Sequence, residues 1–524
     1  MMRVSVATPG ELRRLDRVLS HILGSPRAHR PASRRRPGLM RASGAAAAAP
    51  AAVSAAVRLG RSELSRVAIT RRDFVRRAGL AGAGAGLLLA GMSRPARAFP
   101  PDEFYDTFNL ARMIYHENPV GPSPAALEAV RMVLAHGPKA AARSLENDPG
   151  DLVRAILAYN RRLHPSARRL REHDVMLLVG SSDGLMLIAD TFVAGGTLVG
   201  EWPAYRIIRE RVWQQGGTVI DVPLRASDHQ PDYAALLKAL HDHPEAGLVH
   251  FNAQNNPMGS VIARGEFDAF AHQVWASHPR TVILVDESDH EWMEPGLSAS
   301  QPDYLGYVAR GKSLIHLQTF SHIFGLTGLR VGYLIAPPRL VRRMQRKRIT
   351  HPVNVFGHAA AIAALHDADG QVKRCHPVIS QGREYIYSEL EKMGLRYLRS
   401  QGQYVMLDTG ADGTAVWSGL ISLGVLTRYG REWGMESWLR VCPGLPDENQ
   451  RFIASLKTVL SRPDVNNPPC LAVPVGTCPP VRLPGAASDL GAGLERVLAR
   501  DTLIASRMPK LEAPYRVTPA SALR

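Results

Sequence analysis

The sequence predicts an α/β fold: a large domain on a mostly parallel sheet covered by helices, plus a smaller α/β domain. Three observations predict it. From about residue 174, short apolar segments alternate with helix-like stretches. After about residue 340 that alternation gives way to long helical stretches and a second, short set of strand-like segments. The chain, at 524 residues, has room for two lobes and flanking segments.

Residues 101–123 read as an arm that leads into His116-Glu117-Asn118-Pro119-Val120-Gly121-Pro122-Ser123-Pro124. Pro124 suits a first helical position, and helical periodicity continues through Ala125–Ala135. A second helix is expected over Asp151–Leu163. Seven strands follow: Val175–Gly180, Thr197–Glu201, Thr218–Pro223, Gly247–Asn252, Thr281–Glu287, Ser313–Thr319 and Val331–Ala336. Helices at Gly184–Phe192, Tyr233–Leu240 and Glu266–Ala276 separate several of them. Apolar strands alternating with helices imply crossovers between parallel neighbours and a sheet covered on both faces. Further on, Gly370–Met393 and Pro446–Leu460 read as helices, and Tyr404–Asp408 and Trp438–Val441 as strands. The Pro- and Gly-rich residues 463–524 show no sustained period and read as a tail, disordered or loosely docked. The expected organisation is thus a basic low-complexity extension over 1–69, a leader over 70–98, an arm with part of the small domain over 99–150, a large domain over 151–340, a small domain over 341–462, and the tail.

The net charge of +17 invites a nucleic-acid reading, but its distribution excludes one. Residues 1–98 hold 19 Arg, no Lys and 4 acids, which leaves +2 for residues 99–524. No basic stripe with interleaved aromatics occurs in that body, so a nucleic-acid partner is not expected.

The leader accounts for the charge. Thr70-Arg71-Arg72-Asp73-Phe74-Val75-Arg76 resembles the twin-arginine export motif; a mildly apolar run, Ala78–Gly91, and an A-x-A site at Ala96-Arg97-Ala98 follow. The run is too short and too glycine-rich for a membrane span. These three parts predict a periplasmic or secreted protein whose mature chain begins at Phe99. Residues before the motif exceed what a signal peptide needs. Either translation starts further in, near Val67, or they form a disordered extension. The four cysteines contain no C-x-x-C pair; Cys470 and Cys478 either close a small loop in the tail or stay free.

The most specific stretch is Leu317–Tyr333, LQTFSHIFGLTGLRVGY. It resembles the cofactor-lysine segment of the pyridoxal-phosphate-dependent aminotransferases of class I/II, fold type I, and most closely that of histidinol-phosphate aminotransferases, T-x-S-K-x-[FY]-G-L-x-G-L-R-x-G-Y. Every element matches except the lysine, whose place His322 takes. That lysine forms an imine with the cofactor and moves protons at the substrate Cα, which an imidazole cannot do covalently. Other segments match in the family's order across about 112–460. The resemblance implies that Ser181, Ser182 and Asp183 in Gly180-Ser181-Ser182-Asp183 meet the cofactor phosphate, at a helix start where backbone N–H groups favour an anion. It implies that Tyr205 in Trp202-Pro203-Ala204-Tyr205 stacks on the pyridine ring, and that Asn256 in Gln254-Asn255-Asn256-Pro257-Met258-Gly259 bonds its phenolic oxygen. Asp286, at a strand end, would pair with the protonated ring nitrogen. Thr319, Ser321 and Arg330 would complete the phosphate clamp. Arg440 in Leu439-Arg440-Val441-Cys442-Pro443-Gly444 would grip a substrate carboxylate or phosphate.

Two further departures fall on groups that touch the cofactor in the family. The D-E-A-Y pattern stands here as Asp286-Glu287-Ser288-Asp289, without its tyrosine, and R-Y-P-D-P as Leu145-Glu146-Asn147-Asp148-Pro149. The acids and the histidine of residues 286–291 match no metal-ligand spacing, so no metal is expected from this segment. The resemblance implies pyridoxal 5'-phosphate or pyridoxamine 5'-phosphate as cofactor, bound non-covalently, a small amino-acid-like substrate, and a homodimer. Two readings stay open: an enzyme of altered chemistry, with His322 and Asp286 as its catalytic groups, or a catalytically inactive exported relative serving as a binding or scaffold protein.

Overall fold

The structure, a computed structural model, describes residues 110–466. The expected leader and its cleavage site, the tail past Asn466 and the Cys470–Cys478 pair lie outside the described residues. Cys375 and Cys442 are buried free thiols.

The arm contributes a two-residue strand, β1 (Ala111–Arg112). All seven strands expected between residues 175 and 336 then form, within a residue or two of their expected ends: β2 (Val175–Leu178), β3 (Thr197–Trp202), β4 (Thr218–Pro223), β5 (Leu248–Asn252), β6 (Val282–Asp286), β7 (Leu314–Thr319) and β8 (Gly332–Ile335). They make one sheet in the order β2-β8-β7-β6-β5-β3-β4. Pairings from β7 through β6, β5 and β3 to β4 are parallel, and β8 runs antiparallel to both its neighbours. Alternate side chains feed opposite layers, as the two-residue repeat of a strand requires. Val175, Leu177, Val249, Ile283 and Val285 pack into one core; Met176, Leu178, Leu248, Leu284 and Leu317 pack into the other. Both faces are therefore dry, which is why these strands read as continuous apolar runs.

One boundary differs in a way that matters for the site. The segment expected as strand up to Gly180, with a helix from Gly184, instead turns into the helix Gly180–Phe192 directly after β2 and Val179. Gly180 makes this possible. Its φ is +77°, and a Cβ there would lie 2.5 Å from the Arg330 guanidinium. Ser181 and Ser182 thus sit in the first helical turn rather than in a capping loop.

Several elements were not expected from the sequence: the helices Ile207–Gln214, Tyr304–Ala309, Pro338–Gln345 and Val355–His366, the short strands, and one helical turn, Pro463–Asn466, at the start of the tail. The second sheet has four strands in the order β12-β13-β10-β9. These are β9 (Arg396–Leu398), β10 (Val405–Asp408), β12 (Arg428–Tyr429) and β13 (Trp438–Val441), with β11 (Val425–Leu426) pairing in parallel with β1 instead. The helices Ala368–Lys392 and Pro446–Leu460 pack on it through Ile386, Leu390, Phe452 and Leu456. Among the described residues no helix is long and apolar enough to cross a membrane.

Candidate active site

The carboxyl ends of the parallel strands face a cleft of about 630 Å³. This is where open α/β sheets hold ligands, because loops and helix N-termini converge there. Asn252 and Asp286 come to it from β5 and β6, Tyr115 and His116 from the arm, and Arg428, Trp433 and Arg440 from the smaller sheet and its loops. Of the residues expected from the sequence, Ser181, Ser182, Tyr205, Asn256, Asp286, Ser321, His322, Arg330 and Arg440 line it. Asp183 and Thr319 do not. Asp183 accepts the Val179 backbone N–H at 3.1 Å, one turn back, and so steadies its own helix start. Thr319 Oγ1 accepts the Ser321 N–H at 3.1 Å and donates to Ser321 Oγ at 3.0 Å, so it orients Ser321 from behind.

One end of the cleft is built for an anion. The N-terminus of the Gly180–Phe192 helix presents Ser181 and Ser182. Gly332 packs so closely beneath that a Cβ would lie 2.8 Å from the Gly180 carbonyl carbon. Arg330 closes this end with φ at +56°, a left-handed conformation that costs a non-glycine residue of order 1 kcal/mol. Its guanidinium donates to the carbonyls of Thr327 at 3.1 Å and Val179 at 3.3 Å. Neither neutralises it, and among the described residues no carboxylate pairs with it. A fixed cation, hydroxyls and a helix N-terminus on one spot make an anion subsite.

The middle of the cleft gathers Asp286, Asn256 and Tyr205. Asp286 is buried, with Oδ1 accepting the Ser288 N–H at 3.2 Å and the Ser288 hydroxyl. Burial pushes its carboxyl up to about 6. A cation beside it would restore the ionised form. Asn256 accepts a hydrogen bond from Arg440 Nη1 at 2.7 Å, which leaves its amide N–H group to the cleft. Tyr205 is held by its backbone N–H donating to Asn252 Oδ1 at 3.1 Å. Arg440 is buried, donates through Nη2 to the Ile114 carbonyl at 2.8 Å, and lies over the Tyr404 and Trp433 rings.

At the remaining end, His322 takes the place that the resemblance gives to lysine. Its Nδ1 donates to the Ser288 carbonyl at 3.0 Å and lies 3.0 Å from Asp289 Oδ1. Burial opposes a charged ring, yet the Asp289 carboxylate, helped by Asp286 and the Ser288 carbonyl, outweighs it and holds the His322 pKa above its ordinary value. His116 meets His322 edge-on, ring centroids 5.2 Å apart, and stacks on Tyr404 at 4.8 Å. Burial and the neighbouring Arg440, His322 and Arg428 charges hold the His116 pKa well below its ordinary value. One imidazole thus favours the proton and the other rejects it.

Sequence reasoning missed His116, Asn252 and Glu201, and saw Asp289 as a lost tyrosine and as one of the acids of 286–291 without metal-ligand spacing. Glu201, the next-to-last residue of β3, is buried and accepts the Asn252 N–H at 2.9 Å and the Asn255 amide at 3.0 Å. Burial pushes its carboxyl up to about 7. An acid at the last positions of an apolar strand was the available signal for it. Over 286–291 the side chains divide between sides. Asp286 and Asp289 face the cleft; Glu287 turns away to His290, at 3.0 Å, and to His316, and Glu291 takes the Tyr159 hydroxyl at 2.9 Å. That division is why the segment alone shows no ligand set. Glu146 is exposed and takes no part in this cleft.

Comparison with known proteins agrees with this geometry. The family model for aminotransferase class I and II matches residues 113–456. The histidinol-phosphate aminotransferase of Moorella thermoacetica is 30% identical over 355 residues, covering 67% of this chain and 86% of that protein. That of Bdellovibrio bacteriovorus is 31% identical over 366 residues, covering 68% and 92%. The crystal structure of histidinol-phosphate aminotransferase from Sinorhizobium meliloti in complex with pyridoxal-5'-phosphate matches with a TM-score of 0.60 at 25% identity, over 70% of this chain and 99% of that one. A Thermus thermophilus aspartate aminotransferase variant matches in fold alone, at a TM-score of 0.59 and 20% identity. The fold, the order of the motifs and the family match together place this chain in the class I and II aminotransferase family.

Proposed function

We propose that the cleft binds pyridoxal or pyridoxamine 5'-phosphate without a covalent bond, and that the protein acts there on a small amino-acid-like substrate, with His322 moving the proton that a lysine moves in its relatives. The observation that carries this reading is the anion end. Arg330 stays in a strained conformation, unpaired with any described carboxylate, over a glycine cradle that a Cβ would fill. Such strain persists where a bound group repays it.

The residues present fit the cofactor. Ser181, Ser182, Ser321 and Arg330 supply hydroxyls and a guanidinium for a dianionic phosphate. Asp286, its carboxyl raised to about 6 by burial, gains by facing a protonated ring nitrogen. The amide N–H of Asn256 remains for a phenolic oxygen, and Tyr205 for the ring face. When bound, such a ring supplies an electron sink for charge at the substrate Cα. His322, its pKa raised by the Asp289 carboxylate, is placed to give and retake a proton in the cleft. Arg440 has its Nη1 tied to Asn256 and its Nη2 to Ile114, so its grip on a substrate anion requires exchanging one of those bonds. The same tie favours the second reading, a binding protein that kept the pocket without turnover.

The test is an absorbance titration of the purified protein with pyridoxal phosphate, before and after borohydride. Saturable binding with no reduced adduct on the protein supports the proposal, and absence of binding up to millimolar cofactor overturns it. Export by the twin-arginine route belongs to the same proposal, since residues 70–98 carry its three parts. Replacing Arg71 and Arg72 together by Lys should abolish export, and N-terminal sequencing of the exported protein should begin at Phe99.

A further inference from the structure

The two departures at positions 322 and 289 do not stand apart. They meet each other and a third residue, His116, which comes from the arm more than 170 residues away in sequence. One donor atom from each of His116, Asp289 and His322 lies within 4.8 Å of the others. Asp289 is the hub, with Oδ1 3.0 Å from His322 Nδ1 and Oδ2 3.8 Å from His116 Nδ1. We propose that His116, Asp289 and His322 form a binding site for a divalent transition-metal ion, with two imidazoles and one carboxylate as ligands.

The polar atoms of the trio are poorly used otherwise. His116 Nε2 is buried without a hydrogen-bond partner, and Asp289 Oδ1 meets only the His322 ring. Buried polar atoms are nearly always satisfied, because leaving one bare costs about 1–3 kcal/mol. A bare imidazole nitrogen beside a carboxylate and a second imidazole calls for an occupant, and an ion that accepts lone pairs is the occupant that donor set fits. The ligand types choose its class. Imidazole with a single carboxylate suits zinc, iron or cobalt, whereas magnesium and calcium want more oxygens. Donor atoms around a zinc ion sit roughly 3–3.5 Å apart, given bonds of about 2.0–2.1 Å. The 3.0 Å pair meets that spacing once His322 Nδ1 gives up its proton and its bond to the Ser288 carbonyl, and the wider ones need a ring rotation at His116 or His322 to draw in. Three protein ligands leave a coordination position open to the cleft, as in metal sites that take water or substrate. Asp286 adds negative charge nearby, and Arg440, which shares the Tyr404 ring with His116, opposes it.

Metal and proton are alternative occupants of the His322 ring, so a bound ion would silence its proton transfer. The test uses the full protein stripped of metal and titrated with cobalt(II) chloride, free of cofactor, followed by visible absorbance. One equivalent of cobalt should bind, with visible bands of a protein-bound ion. His116→Gln and Asp289→Asn should each weaken it at least tenfold. No cobalt bands up to millimolar metal in the wild-type protein would overturn the site, and so would bands that survive both substitutions in folded variants. Pyridoxal phosphate binding in metal-free buffer reads the earlier proposal separately: protein that takes the cofactor but not cobalt overturns the metal site alone.

Discussion

At one end of the cleft, Gly180, Ser181, Ser321 and Arg330 stand as the aminotransferase pattern prescribes. At the other, an imidazole and a carboxylate, His322 and Asp289, stand where the sequence resemblance leads one to expect a lysine and a tyrosine, and His116 joins them. Both ends draw on the same sheet edge. They differ in what they do to charge. The anion end holds a guanidinium with no carboxylate partner among the described residues in a strained backbone, a cost that a bound anion would offset. The other end balances its own charges, with Asp289 against His322 and His116 kept neutral. If the cleft holds the proposed cofactor, holding it and reacting with it would thus fall to separate residues.

The sharpest way to break that separation is to restore the amine. His322→Lys places a primary amine at the reacting end and leaves the anion end untouched. The expected outcome is all-or-none: pyridoxal phosphate becomes covalently attached at position 322, with a new visible band, and borohydride plus mass spectrometry locates it. Transaminase turnover should stay low, because Asp289 still stands where a tyrosine assists in relatives. If no covalent attachment occurs at saturating cofactor, the pocket is closed to it and the binding-protein reading prevails.

The anion end is tested next. Arg330→Ala should weaken cofactor binding by about 1.5–3 kcal/mol, the worth of a charge-assisted contact to phosphate. Arg330→Gly removes the same guanidinium and also relieves the left-handed strain at φ +56°. It should bind as weakly as the alanine variant yet melt at a higher temperature than it. Equal affinity for both variants and the wild-type protein would mean the guanidinium holds nothing but carbonyls.

At the reacting end, Asp289→Asn removes the charge that outweighs burial at His322. The His322 pKa should fall, read by NMR titration of its ring protons. The sign of the stability effect follows. A histidine whose folded pKa lies above its unfolded value of 6.5 contributes stability that is complete below that value and is lost as pH rises through the folded one. The Asp289→Asn protein should therefore lose most stability in mildly acidic buffer, with the gap to wild type closing as pH rises. A gap that is constant across pH would mean Asp289 acts through packing alone.

What was legible in the sequence tracks how local each feature is. The segment 317–333 carries strand, turn, Ser321 and Arg330 in one run, so its pattern could be read directly. The seven sheet strands were legible because both faces are buried and their runs are uniformly apolar. The helix Val355–His366 escaped because its residues are small and apolar nearly all round, which blurs any period. The boundary at Gly180 was misplaced because a glycine between strand and helix reads equally as the end of one or the start of the other. The trio of His116, Asp289 and His322 could not be read at all. Its members lie on three segments, and only the packing of the arm against the sheet edge brings them together.

The smallest expected effect concerns the support behind both ends, Glu201. Its folded pKa is about 7 against an ordinary 4.5, so between those values the folded state keeps a proton that the unfolded state releases. Stability must then fall as pH rises across that window and level off above it. Glu201→Gln removes the titration. It should leave stability in acid near the wild-type value and raise it above pH 7, which melting curves at pH 5 and 8 would read. The gain should be about 1 kcal/mol, less than the pKa shift alone implies. The reason is local. Oε1 accepts from Asn252 and Asn255 and is well served by a glutamine oxygen, but Oε2 is buried without a partner. The new amide N–H group would inherit that bare position and give back part of the gain. If the two melting curves instead differ by the same amount at both pH values, Glu201 is not protonated in the folded protein, and an ionised carboxylate lies beneath Asn252 and Tyr205.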